Sequence, residues 1–170
     1  MNTIASYNTD AISTDVSLVY NTAYASRNFS GSGDGMNVPD LSYMKIGLGW
    51  KLSVAQTLKE VSLSGTTYIV YNDADGTEHY FYKKTENGKT KYLDEDGLKL
   101  ELTTSGSGSS KYAIKDEKDN YIYFNTKGLL TSTKDSNGNK TTINYASDGT
   151  TINSVTDGSN KKILLQQTAG

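Results

Sequence analysis

Apolar residues in this chain fall in short runs that alternate with polar ones, and turn-forming residues cut the runs at regular intervals. Residues 66–71, 77–83, 90–93, 98–103, 111–115 and 121–125 each read as a strand. The turns between them are Asp73-Ala74-Asp75-Gly76, Glu86-Asn87-Gly88, Asp94-Glu95-Asp96-Gly97, the Gly/Ser stretch 105–110 and Lys118-Asp119-Asn120. Turn signals arrive about every 9 to 13 residues, the spacing of consecutive antiparallel hairpins. The pattern predicts an all-β chain: a long meander of hairpins forming a curved or solenoid-like sheet. Several strands carry large apolar residues on both faces, as in Tyr68-Ile69-Val70-Tyr71, His79-Tyr80-Phe81-Tyr82 and Tyr121-Ile122-Tyr123-Phe124. Two-sided strands imply a sandwich, or a sheet whose second face covers something. Trp50, Phe81, Phe124 and Tyr145 are the candidate structural aromatics.

Upstream the pattern is less regular. Residues 1–14 are polar and read as a loose leader. Residues 15–24 read as a strand with Val16, Leu18 and Tyr20 on one face. The segment 28–40, with Gly31, Gly33, Gly35 and Pro39, reads as a surface loop. Residues 43–63 fit a helical face (Leu52, Ala55, Leu58, Val61) as well as strand alternation (Leu52, Val54, Leu58). Gly47 and Gly49 before the run, its β-branched residues and the lack of a capping residue favour a strand.

The end of the chain copies itself. Gly128 recurs as Gly149 after 21 residues, whereas Asp135 recurs as Asp157 after 22. A period near twenty residues marks stacked supersecondary units, none able to bury its apolar face alone. Each copy reads as a β-hairpin. Asn137-Gly138 and Asp157-Gly158 are expected as two-residue type I′ turns, with Asp148-Gly149 between them. Three regions result: a leader at 1–14, hairpins at 15–127 and two repeats at 128–167. Turn residues Gly76, Gly88, Gly97, Asn137, Gly138, Gly149, Asp157 and Gly158 are expected to be structural.

Composition narrows the chemistry. The net charge is −2 and no run of Lys or Arg forms a patch, which argues against nucleic acid. No apolar run approaches the ~20 residues of a membrane helix, and the N-terminus lacks the charged and apolar regions of a signal peptide. That leaves a cytoplasmic protein or a segment of a larger exported one. The chain has no Cys and one His, so neither thiol chemistry nor a zinc site is expected, and no nucleophile-elbow sequence is present. His79 reads as an ordinary strand histidine.

The Asp73, Asp94 and Asp135 turns resemble the opening of a calcium loop. The position where such a loop closes with Glu holds Lys84, Ser105 and Ala146 instead. The turn reading stands: Asp accepts backbone N–H bonds and Gly takes the left-handed conformation. No enzyme activity, metal or cofactor is expected. The thirteen tyrosines leave one binding reading open, a cell-surface adhesin or carbohydrate-binding module that stacks sugars on exposed rings.

The residues Gly128-Leu129, Asp135, Gly138-Asn139, Ile143, Tyr145 and Asp148-Gly149 resemble the YD repeat of the Rhs family, related to teneurins and to the shell-forming components of Tc toxins. Upstream, Leu18-Val19-Tyr20-Asn21, Gly47-Leu48-Gly49-Trp50 and Asp73 through Phe81 resemble the region preceding such repeats in Rhs and wall-associated proteins. The chain departs from the pattern in having no Tyr-Asp dipeptide and in placing Thr150-Thr151 where Arg-Leu often follows the repeat glycine. The resemblance implies a bacterial secreted or cell-surface protein whose repeats wind into a hollow shell around a C-terminal toxin. This segment would be an early part of that shell wall. Its partners would then be further repeats and the enclosed effector of its own parent chain, and its unpaired edges would favour edge-to-edge self-association.

Overall fold

The computed structural model describes residues 2–8, 13–22, 49–104 and 106–165. The predicted loop at 28–40 lies outside these residues, as does the 43–48 portion of the apolar run. The described chain is all-β and forms two antiparallel sheets. The smaller comprises β1 (Asn2–Asn8), β2 (Ser13–Tyr20) and β3 (Trp50–Leu52).

The larger sheet has eleven strands in strict sequence order, each paired with the one before it. They are β4 (Thr57–Leu63), β5 (Thr66–Asn72), β6 (Glu78–Glu86), β7 (Lys89–Asp94), β8 (Glu101–Thr103), β9 (Tyr112–Lys115), β10 (Tyr121–Phe124), β11 (Leu130–Lys134), β12 (Lys140–Tyr145), β13 (Ile152–Thr156) and β14 (Lys162–Leu164). This is the predicted meander.

The sheet is not a closed barrel, but it curls until its first strand meets its eighth. Leu58 N donates to Gly128 O at 2.7 Å and Leu130 N to Gln56 O at 3.2 Å, on either side of a bridge between Thr57 and Leu129. The curl turns one face inward. Cross-strand register places Ile69 opposite Phe81, Leu102 opposite Ile114, Phe124 opposite Leu130 and Ile143 opposite Val155. Because side chains alternate, these pairs share one face. They form a single buried cluster, which Val16 and Leu52 of the small sheet complete. Tyr68, Tyr80, Tyr82, Tyr121 and Tyr123 occupy the opposite, half-buried face.

Several expectations change. The polar leader is in part a strand: β1 pairs with β2, Asn2 opposite Leu18 through Asn8 opposite Ser13. Backbone hydrogen bonds need no apolar alternation, so such a strand leaves little trace in the pattern. β2 begins at Ser13 and ends at Tyr20, earlier than the predicted 15–24. The apolar run is two strands, β3 and β4, because Ala55 N bonds Leu52 O at 2.9 Å and turns the chain from one sheet to the other. β8 starts only at Glu101, since Lys99 holds a left-handed φ of 58°. The Gly/Ser tip is a compact turn with a 3₁₀ segment at Gly108–Ser110. A Cβ on Gly106 would lie 1.8 Å from Ser110 O.

Candidate functional site

Among the described residues, the turns are rich in side-chain hydrogen bonds, and five of them share one design. In each, an Asx residue accepts from the backbone N–H groups two and four positions ahead, while its carbonyl accepts from the third. At Asp135 these donors are Asn137 N at 2.9 Å, Asn139 N at 2.8 Å and Gly138 N at 3.0 Å. Asp73, Asp116, Asn125 and Asp157 repeat it.

The residue three positions on is left-handed each time: Gly76 (φ 91°), Asp119 (63°), Gly128 (75°), Gly138 (89°) and Asn160 (61°). Gly, Asn and Asp tolerate that conformation best. This is a type I turn followed by a bulge, so the expected type I′ geometry at Asn137-Gly138 and Asp157-Gly158 is corrected. Neither Asn137 nor Gly158 has a positive φ; Asn160 holds the left-handed place in the last turn. True two-residue I′ turns occur at Ser64-Gly65 and Asn87-Gly88, where both residues are left-handed. Gly97 (75°) and Gly149 (69°) are left-handed as expected of turn glycines.

Of the candidate aromatics, Phe81 and Phe124 are wholly buried. Tyr145 bonds Leu130 O at 2.8 Å, and burial pushes its phenol well above the usual range. Trp50 is only half-buried and packs at 5.3 Å against Tyr20, itself 52% exposed.

A polar seam joins the two sheets. Lys51, in β3, is 0% exposed, and its Nζ donates to Asn72 Oδ1 at 3.0 Å and to Asp73 O. Burial lowers its amine to about 8, against the opposing pull of the Asp73 and Asp75 carboxylates. Asn21 Nδ2 donates to Asp75 O at 3.0 Å. A Cβ on Gly76 would meet that same Nδ2 at 2.9 Å, so the close approach also requires glycine.

His79 lies between two turns, Nε2 at 3.0 Å from Asp73 Oδ2 and Nδ1 at 3.3 Å from Asp96 Oδ2. Both ring nitrogens are engaged, and the imidazole acts as a brace between the 73–77 and 94–97 turns. No group of three or more His, Cys, Asp or Glu arranged to hold a metal occurs among the described residues. Tyr71 packs on both His79 and Phe124 and donates to Gln56 Oε1 at 2.6 Å, which links the seam to the curl.

A cleft of about 400 Å³ opens beside the Thr57–Leu129 bridge, with Leu58, Ile69, Tyr92 and Tyr112 along its walls and Lys59 and Lys111 among its polar lining. On the outer face the Tyr121 and Tyr123 rings stack on each other at 5.8 Å with planes 7° apart, and Lys115 Nζ lies 5.8 Å from the Tyr121 centroid.

Sequence reasoning missed Lys51 and Asn72, which look like any polar residues in a strand. It also missed the Asp116, Asn125 and Asn160 turn positions. For those a signal existed: Asx followed three residues later by Gly, Asn or Asp. No family model, curated protein or solved structure matches this chain.

Proposed function

We propose that this chain is a non-enzymatic wall segment of a bacterial, exported YD-repeat shell, whose work is to enclose an effector carried further along the same parent protein. One observation carries the reading: two successive hairpins, β10–β11 and β12–β13, which span the repeat region in a frame one strand earlier, carry the same bulge and stack side by side. In β10–β11 the register skips a residue between Tyr123 and Phe124, so that Phe124 faces Leu130. In β12–β13 it skips at the corresponding place between Asn144 and Tyr145, so that Tyr145 faces Ile152. Tyr145 then bonds Leu130 O from one hairpin to the other.

A unit that repeats its bulge and stacks on its neighbour extends a wall hairpin by hairpin, and each added strand covers the edge left by the last. The bulges bend each hairpin alike, which curves the wall. The segment's contribution is shape, and His79 serves as a brace within it.

The test uses the parent protein. Continued hairpins of about twenty residues followed by an unrelated domain are expected downstream, with that domain resisting protease in the intact chain and digested once separated. A downstream domain cut equally fast in both settings would remove the enclosure. Saturable glycan binding abolished by Tyr121→Ala with Tyr123→Ala would favour the adhesin reading instead.

A further inference from the structure

The structure assigns Lys51 and Asn72 as the two ends of a covalent staple: we propose that the Lys51 amine displaces the Asn72 side-chain amide nitrogen to form an intramolecular isopeptide bond between the sheets. The placement is independent of the shell reading. Lys51 is 0% and Asn72 3% exposed, with Nζ 3.0 Å from Oδ1 of the carboxamide it would attack. The carboxamide is held from its other side, where Nδ2 donates to Gly76 O at 2.9 Å. Two reactants fixed in contact and shielded from water have the effective concentration that a slow amide exchange needs.

Desolvation also supplies the nucleophile. An ordinary lysine is almost wholly protonated at neutral pH, whereas burial brings this one to about 8, so roughly a tenth carries the lone pair at pH 7 and about half near pH 8.

The step balances without a redox partner. The Nζ lone pair forms a bond to Asn72 Cγ, the Cγ–Nδ2 bond breaks, and one Nζ proton moves to Nδ2, which leaves as ammonia. The Asp73 carboxylate lies in the same polar seam, where its Oδ2 is linked through His79 to the more exposed Asp96. The product is a secondary amide joining β3 of the small sheet to the last residue of β5 in the large one. A chain without cysteine has no disulfide for that purpose.

Intact mass spectrometry of the folded 170-residue chain, after prolonged incubation near pH 8, tests the bond. The expected mass is one ammonia, about 17 Da, below the sequence mass. Trypsin should leave Lys51 uncut and yield a branched product joining the peptide that ends at Lys59 to the peptide 60–83. Lys51→Met and Asn72→Ala should both restore the full mass. A folded wild-type chain at its full sequence mass overturns the proposal. So does a deficit that survives Lys51→Met and is cleaved by hydroxylamine, since succinimides at Asn87-Gly88 or Asn137-Gly138 lose the same mass. Should the variants fail to fold, the wild-type digest decides alone: the branched peptide supports the bond, and normal cleavage at Lys51 refutes it.

Discussion

The hairpins β10–β11 and β12–β13 are built to one plan and differ in two places, and the differences explain how the plan tolerates sequence drift. The first lies where each hairpin reverses. Asn125 N bonds Leu129 O, four residues ahead, whereas Ala146 N bonds Thr151 O, five ahead. The extra residue in the second reversal moves everything after it by one. Gly128 therefore maps to Gly149 at 21, while Leu130 maps to Ile152 and Asp135 to Asp157 at 22. An insertion in a loop costs little, since it displaces no core contact. The second difference is at the far turn, where Asn160 replaces Gly138 and Lys161 replaces Asn139. Asn139 Nδ2 donates to Asp135 Oδ2 at 2.7 Å; Asp157 Oδ2 has lost that donor and is buried without a hydrogen bond. The second copy keeps the fold of the turn but not its full set of bonds.

Substitutions should expose this difference, beginning with what the copies share. Phe124 is wholly buried and touches the ring of Tyr71, so Phe124→Ala should lose about 3–5 kcal/mol in urea denaturation. Tyr145→Phe, at the matching position, should lose only about 1 kcal/mol, that of its bond to Leu130 O. Equal losses would show that the two aromatics are not equivalent supports of the stack.

Alkaline pH comes next. Burial raises Tyr71 and Tyr145 above the ordinary 10.0. Their contribution is complete below pH 10, the unfolded value, and is lost as pH rises beyond it, because the unfolded chain releases protons the folded one retains. The melting temperature should therefore fall progressively above pH 10, and Tyr145→Phe should flatten that fall. A profile level to pH 12 would contradict the burial of both phenols.

At the turns the effects are smaller. Open space surrounds Gly138, so Gly138→Val tests backbone conformation alone and should cost about 1–3 kcal/mol for a branched residue at φ 89°. Asn160→Gly should leave stability unchanged or raise it slightly, by a few tenths of a kcal/mol. The smallest expected effect is a gain. Lys161→Asn would restore the donor that Asp157 Oδ2 lacks and stabilise by about 1 kcal/mol, read as a rise in the urea midpoint at constant slope. A loss of stability there would mean that Lys161 contributes more than the missing bond.

What the amino-acid order determined by itself was local. The hairpin succession, the positions of the reversals and the burial of Phe81 and Phe124 follow from alternation and from residues that accept a left-handed backbone, and each is decided within about ten residues. Even the one-residue break between the repeats was visible as spacing. Only the tertiary structure decided the rest, because each remaining feature joins residues far apart along the chain. β1 exists because β2 offers it an edge, and residues 56–58 close on 128–130 because the sheet curls. Trp50 falls at the margin of the core while its neighbour Lys51 is sealed within it, an inversion that side-chain polarity alone points away from. The seam offered Lys51 an amide and a carbonyl to bond, and a buried polar group is tolerated wherever such partners are in place.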